Sequence, residues 1–184
     1  MGSRLTLTGE DARAIARLPS VALTAPSVFG VAHVVFGSSN WSTTINGTVP
    51  DHFDIREWPL LKGRTFSQDD TQNAAKVAII GSKVADELFK TEVPVGKVVR
   101  ILSIPFTIIG VLSEKGVNGS GQNQYDVAFV PISTATLQLI CSVNSVNRDT
   151  IGCILASARS DEAMASAITQ IEDLLRQRHR TRVG

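Results

Sequence analysis

Three histidines, two cysteines and one Gly-Lys step are the residues of this 184-residue chain whose types could do chemistry. A protein metal site needs several His, Cys or carboxylate ligands gathered at one point. His33, His52 and His179 fall in three different segments, and none sits in a metal-binding pattern. Cys141 and Cys153 form no C-x-x-C pair and have no His beside them in sequence. They read as two small apolar residues, or as a disulfide if the compartment is oxidising. A phosphate loop needs an early glycine so that backbone N–H groups can cradle the anion. Gly96-Lys97 supplies the closing pair, but Thr91 occupies the earlier glycine position and Val98 follows the lysine. The pair reads as a turn before a strand. No G-x-S-x-G elbow presents a serine nucleophile. No catalytic residue, metal ligand or cofactor is therefore assigned to this chain, and it is read as a domain that is not itself an enzyme.

Two polar stretches remain as candidates for contact rather than catalysis. The run from Lys115 to Gln124 is rich in Gly, Asn, Gln and Ser. Long polar loops on a scaffold often carry partner contacts, and Gly116, Asn118, Gly121, Gln122 and Gln124 are the candidate contact residues. The alternative is a plain surface loop. The cluster Arg176, Arg178, His179, Arg180 and Arg182 ends the last helical pattern, where cations offset the negative end of the helix dipole. Near a membrane helix, such residues would also sit at headgroup level. The formal net charge is +1, so no long-range field draws nucleic acid, and no nucleic-acid partner is expected.

These candidates need elements to hold them. Hydrophobic residues make up 43% of the chain and charged residues 19%, an ordinary globular balance. Thr8 and Asp11 match a capping box, and Ala12, Ile15 and Ala16 continue that pattern until Pro19 stops it. Val21 to Phe36 is rich in β-branched and aromatic residues, Gly37 to Asn40 reads as a turn, and Trp41 to Val49 as the returning strand. Asp51 to Trp58 predicts a short helical turn, and Leu60 to Asp70 an irregular connection. Further strands are predicted at Lys76–Ile80, at Lys97–Leu102 and Phe106–Leu112 around a turn near Pro105, at Val127–Val130 and at Ile151–Ala156. Ser82 is expected to cap a helix with Val84, Ala85, Leu88 and Phe89 inside, and Ser133 one running through Leu137, Leu139 and Ile140. Ser160 opens the clearest helix, from about Asp161 to Arg178, in which Met164, Ala167, Ile168, Ile171, Leu174 and Leu175 recur at helical spacing. No apolar run approaches the ~20 residues of a membrane helix. The best stretch, Val98 to Leu112, is broken by Arg100, Ser103, Pro105 and Thr107. Met1-Gly2-Ser3 reads as an appended leader, so the natural sequence is expected to extend beyond both ends.

Composition and periodicity lead as far as a soluble α+β domain, and a family resemblance leads further. Gly47-Thr48, Pro50, Phe53 and Ile55-Arg56 resemble a stretch found in the periplasmic domains of MacB-like ABC transporter permeases. Leu61-Lys62-Gly63-Arg64-Thr65-Phe66, Lys76 to Gly81, Val84 to Phe89, Pro94-Val95-Gly96-Lys97, Pro105 to Leu112, Val130-Pro131 and Ile171 to Arg180 come after it in the family's order. The resemblance implies a two-lobed periplasmic domain of an inner-membrane protein. A porter-like mixed α/β lobe near the membrane would comprise residues 1–55 and 141–184, and a second α/β lobe, 56–140, would be inserted in its middle. It implies a parent transporter that couples cytoplasmic ATP hydrolysis, in a separate ATPase domain, to efflux of macrolides, peptides or other amphiphiles. Its partners would be a periplasmic adaptor and an outer-membrane channel, with the transporter a homodimer and this chain alone mostly monomeric. The related lipoprotein-releasing permeases, and division-associated relatives that regulate a cell-wall hydrolase, stay open as alternatives. On this reading Ile168, Ile171, Leu174 and Leu175 would couple the last helix mechanically to the membrane-proximal lobe. The strand at Ile151–Ala156 would pair with the Val21–Phe36 region in a sheet separate from Lys76–Ile80.

Overall fold

The computed structural model describes residues 7–114, 125–140 and 151–180. Its elements run α1 (Gly9–Ala16), β1 (Val21–Phe36), β2 (Ser39–Thr48), α2 (Asp51–Arg56), β3 (Leu60–Gly63), α3 (Gln68–Gln72), β4 (Val77–Gly81), α4 (Ser82–Phe89), β5 (Val98–Ile101), β6 (Ile104–Leu112), β7 (Val127–Pro131), α5 (Ile132–Thr134) running on into a π-helical segment (Ala135–Ile140), β8 (Cys153–Ala158) and α6 (Met164–Arg180). Helices and strands are mixed, as the α+β expectation has it.

The longest strand organises the rest. At 16 residues, β1 extends for roughly 50 Å. Its first part, Val21 to Ser27, pairs antiparallel with β8, and Val28 to Phe36 pairs antiparallel with β2. The change of partner falls between Ser27, opposite Cys153 of β8, and Val28, opposite Gly47 of β2. The Thr48 hydroxyl, at the end of β2, donates to the Pro26 carbonyl at 3.0 Å, and the Ser27 hydroxyl donates to Thr48 Oγ1 at 3.2 Å.

Beyond that point the strands run in the order β2-β7-β4-β6-β5-β1, and because β1 also pairs with β2 the series closes on itself. Two contacts are narrow: β1 meets β5 only at Val34/Ile101 and Val35/Arg100, and β4 meets β7 only at Ile79/Phe129 and Ile80/Ala128. The enclosed core joins Val28, Val34, Ile45, Ile80, Ile101, Phe106, Ile108 and Val130 to Val84, Leu88 and Phe89 of α4. A second cluster, Phe53, Trp58, Phe66, Ile79, Leu112 and Phe129, packs α2 and the following connection onto the other face of the same strands.

This pairing corrects the expected separation of sheets. β1 does pair with the strand beginning near Ile151, but it also enters the same continuous sheet as β4. β2, placed by sequence in the segment 1–55, pairs in parallel with β7 from the segment 56–140. The reason is length: a strand of this extent outruns β8 and must satisfy its remaining backbone groups elsewhere.

Several local expectations also shift. The stretch from Leu60 to Asp70 is not wholly irregular: β3 pairs with β6, and Ser67 and Asp70 close a capping box on α3. The β5–β6 turn is Leu102-Ser103, both at positive φ (49° and 67°), while Pro105 lies within β6 opposite Arg100. Positive φ at both turn residues matches the twist of a hairpin, and the absence of Gly or Asn there hid the turn. Gly81 rather than Ser82 is the N-cap of α4. Ser133 lies inside α5, where its hydroxyl donates to the Thr71 carbonyl. The final helix starts at Met164, with Ser160 Oγ accepting from the Ala163 N–H at 3.2 Å in the turn before it. Among the described residues, no helix is long and apolar enough to cross a membrane.

Candidate functional site

The two ends of the described chain arrive at one place. The sequence Gly9–Ala16 is amphipathic: Ala12 and Ile15 are buried while Arg13 and Ala16 face solvent. Ile15 joins Val21 of β1 and Ala167 of α6 in a small core, with Leu18, Ile154, Ala158, Ile171, Leu174 and Leu175 packed half-buried against it. Of the residues expected to couple the last helix to the domain, Ile171, Leu174 and Leu175 therefore touch this cluster. Ile168 does not join it; the side chain is 52% exposed, as Met164 is at 50%. The contact stripe is narrower than the apolar periodicity, because α6 rests on a short strand end and a two-turn helix rather than on a broad face.

A polar clasp closes over this core. Asp11 is only 2% exposed. Its Oδ2 accepts from the Thr8 backbone N–H at 2.9 Å and the Thr8 hydroxyl at 3.0 Å, completing the capping box read from sequence. Its Oδ1 accepts from Arg178 Nε at 2.7 Å. Arg178 Nη2 also lies 3.5 Å from Glu10 Oε2, and His179 Nε2 lies 3.4 Å from Asp11 Oδ2. Burial pushes the Asp11 carboxyl up, but the Arg178 guanidinium, the two Thr8 hydrogen bonds and the nearby His179 together hold it below the ordinary carboxylate range. A carboxylate this buried persists as an anion only when paired and hydrogen-bonded. Two further ties fix the same corner: Ser20 N–H donates to Gln170 Oε1 at 3.3 Å, and Arg159 Nε to the Pro19 carbonyl at 2.7 Å.

The sequence showed Asp11 as a capping residue and Arg178 as one of several cations at a helix end. Nothing local pairs them. Their meeting depends on β1 and β8 bringing α1 and α6 together.

The candidate contact residues Gly116, Asn118, Gly121, Gln122 and Gln124 lie outside the described residues, as does Cys141; Cys153, on β8, is a free thiol. The two roots of the loop are described, and both are stapled. On one side, the Ser113 N–H and hydroxyl both donate to the Pro59 carbonyl at 3.1 Å, and Trp58 Nε1 donates to the Ser113 carbonyl at 2.9 Å. On the other, Asp126 Oδ1 accepts from Trp41 Nε1 at 2.9 Å and from the Thr43 hydroxyl at 2.7 Å. Tyr125 packs so closely on Gly81 that a Cβ there would come within 2.0 Å of its carbonyl oxygen.

Among the described residues, no three His, Cys, Asp or Glu gather where they could hold a metal. An apolar hollow of about 110 Å³ lies beside β1, walled by Val28, Phe29, Val31, Leu102 and Leu139, and no titratable side chain lines it. What the described residues offer is a closed series of strands, hydrogen-bonded positions at Ser113 and Asp126, and a clasp between α1 and α6.

Residues 1–174 match the family model for the MacB-like periplasmic core domain. The whole chain aligns at 35% identity over 232 aligned positions with the "Macrolide export ATP-binding/permease protein MacB" of Syntrophobacter fumaroxidans, covering 32% of that protein. It aligns at 34% identity, again over its whole length, with the protein of the same name from Chlorobium luteolum, covering 27% of it. The chain therefore spans about a third or less of the relatives it matches. Among solved structures, it is similar to the periplasmic region of MacB from Actinobacillus actinomycetemcomitans, with a TM-score of 0.81 at 22% identity over 94% of this chain and 74% of that one. It is also similar to the extracellular domain of the ABC-type transporter YknZ from Gram-positive bacteria, with a TM-score of 0.79 at 21% identity over 96% of this chain and 86% of that one. At these identities the structural likeness speaks for the fold.

Proposed function

This chain belongs to the family of MacB-like periplasmic core domains of ABC transporter permeases, a periplasmic part of an inner-membrane protein, and on that premise we propose that it transmits ATP-driven motion from the membrane to the export path of such a transporter. The observation that carries this reading is the convergence of the two chain ends: α1 and α6 share one small core and one buried ion pair, so a displacement entering at either end is passed into β1 and the sheet. A helix satisfies its own backbone hydrogen bonds, and a packed face resists sliding, so α6 suits the transmission of force.

The exported substrates are amphiphiles such as macrolides or peptides, by analogy with the relatives, which are named for macrolide export. The chain itself catalyses no reaction; a separate ATPase domain supplies the energy. A periplasmic adaptor and an outer-membrane channel complete the path, with Gly116, Asn118, Gly121, Gln122 and Gln124 as candidate partner contacts. The transporter works as a homodimer held largely by parts outside this chain, and the chain alone is mostly monomeric. Within it, a membrane-proximal lobe of residues 1–55 and 141–184 carries a second lobe, 56–140, inserted in its middle, the two joined by the parallel pairing of β2 with β7.

Deleting the complete gene and profiling sensitivity to macrolides and to membrane-active peptides tests the reading. Heightened sensitivity restored by the intact gene is expected; an unchanged profile together with mislocalised lipoproteins would replace efflux with lipoprotein release. Two glycines inserted between Leu175 and Arg178 should leave ATPase activity and reduce export. Export unchanged by that insertion would make α6 merely structural. Sedimentation of the chain alone should give a monomer, and a concentration-independent dimer would place the dimer contact within it.

A further inference from the structure

We propose that Asp11 and Arg178 form a latch: the carboxylate that closes the N-cap of α1 also holds the end of α6, so that the two ends of the chain are fixed to each other and move as one body. Three observations meet on this pair. Asp11 is buried and shared, giving one oxygen to Thr8 and the other to Arg178. Pulling α6 away therefore breaks more than a rim contact: it removes a 2.7 Å charge-assisted hydrogen bond from a carboxylate that also closes its own helix cap. The contacts are also graded in depth. Arg178 reaches past Glu10 at the rim to Asp11 beneath, and His179 adds a second contact at the same carboxylate. This geometry fixes the rotation of α6 about its axis as well as its distance. Finally, the apolar part of the contact is thin. Ala167 is the sole fully buried residue of α6 among those described, and Ile171, Leu174 and Leu175 are only half-buried. Apolar packing of that width sets proximity but leaves rotation and sliding weakly determined, and the ion pair supplies what it lacks.

On the function proposed above, on which this second half rests, the latch makes α1 and α6 a single input. Load on one end reaches β1 through α1 and β8 through α6 together, rather than prying the ends apart.

The latch is tested first in the 184-residue chain itself. Spin labels at exposed Arg13 on α1 and Arg176 on α6, with Cys141 and Cys153 changed to Ser, report the distance between the two helices by pulsed electron resonance. The parent chain should give one narrow distribution. R178Q should shift it to longer distances and broaden it while thermal unfolding stays cooperative. Should R178Q fail to fold, the same labels are read in D11N, which keeps an oxygen for the Thr8 cap. A distribution unchanged by loss of the ion pair would overturn the latch. The second arm uses the full-length transporter and compares export per ATP hydrolysed in R178Q and in L174A, which weakens the same contact without touching the latch. R178Q should lower the ratio more than L174A at equal loss of melting temperature; equal ratios would leave the pair a structural contact alone. If the unaltered transporter exports nothing, the functional reading fails, and the spectroscopic arm still judges the latch.

Discussion

Asp11 and Arg178 are separated by 167 positions in the chain, and 2.7 Å separates the carboxylate oxygen of one from the guanidinium nitrogen of the other. One carboxylate thereby serves a local purpose, capping a helix, and a global one, joining the ends of the domain.

That double use predicts an acid sensitivity. The folded-state pKa of Asp11 lies below its ordinary value, so its contribution to stability is fully present above about pH 4, the unfolded carboxylate range. It is lost as the pH falls further, through the folded value. Asp11→Asn removes the charge and should cost about 1.5–3 kcal/mol at neutral pH, the range for hydrogen bonds to charged groups. Denaturant unfolding at pH 7 and at pH 3 should show the gap between the two proteins narrowing in acid.

The exposure of α6 residues predicts unequal costs along one apolar stripe. Leu174→Ala should destabilise by about 1–2 kcal/mol, below the range for a fully buried leucine, because Leu174 is half-buried. Ile171→Asp should cost at least as much, by setting a charge against the small core. Ile168→Ala should stay within about 0.5 kcal/mol of the parent, as expected of a surface position. A chemical-denaturation series checks the order, and an Ile168→Ala cost equal to that of Leu174→Ala would contradict the placement of the helix.

Gly81 should resist substitution. Its backbone angle suits any residue, so the obstacle is space: the Tyr125 carbonyl would lie 2.0 Å from an added Cβ. Backbone cannot step aside as a side chain can. Gly81→Ala should cost about 1–3 kcal/mol by overpacking and displace the segment around Tyr125. Gly96→Ala meets no neighbour within 4 Å, but its φ of +89° makes it costly for a conformational reason instead. Melting curves of both variants, with hydrogen exchange around Tyr125, separate the two causes: only the Gly81 variant should speed exchange there.

Trp41→Phe tests the stapled root of the loop. It keeps an aromatic ring but removes the N–H that Asp126 accepts at 2.9 Å. Stability should drop by about 1 kcal/mol, and amide exchange should rise at Tyr125 to Val127 while the centre of β4 stays protected. Uniform loss of protection would mean that the root and the sheet open together.

Local order was legible wherever a residue's neighbours in sequence are also its neighbours in space. The Thr8–Asp11 capping box, the inward face Val84, Ala85, Leu88 and Phe89 of α4, and the β-rich run from Val21 to Phe36 all belong to this kind, since capping and periodicity are set within a few positions. β3 was not legible: it is a mostly exposed four-residue edge strand whose pairing with β6 leaves no alternation to read.

The ordered motifs from Gly47 to Arg180 placed the chain in its family, because a fold constrains many weakly informative positions at once. Tertiary structure alone decided that one strand serves two sets of partners, that Ile168 leaves the packed stripe, and that Arg178 finds Asp11. Each of these depends on which surfaces meet. A strand's two edges carry the same backbone groups along their whole length, and an arginine at a helix end has the same local signal whether water or a buried carboxylate receives it. Only the pairing of β8 with the first half of β1, which returns α6 to α1, distinguishes the two.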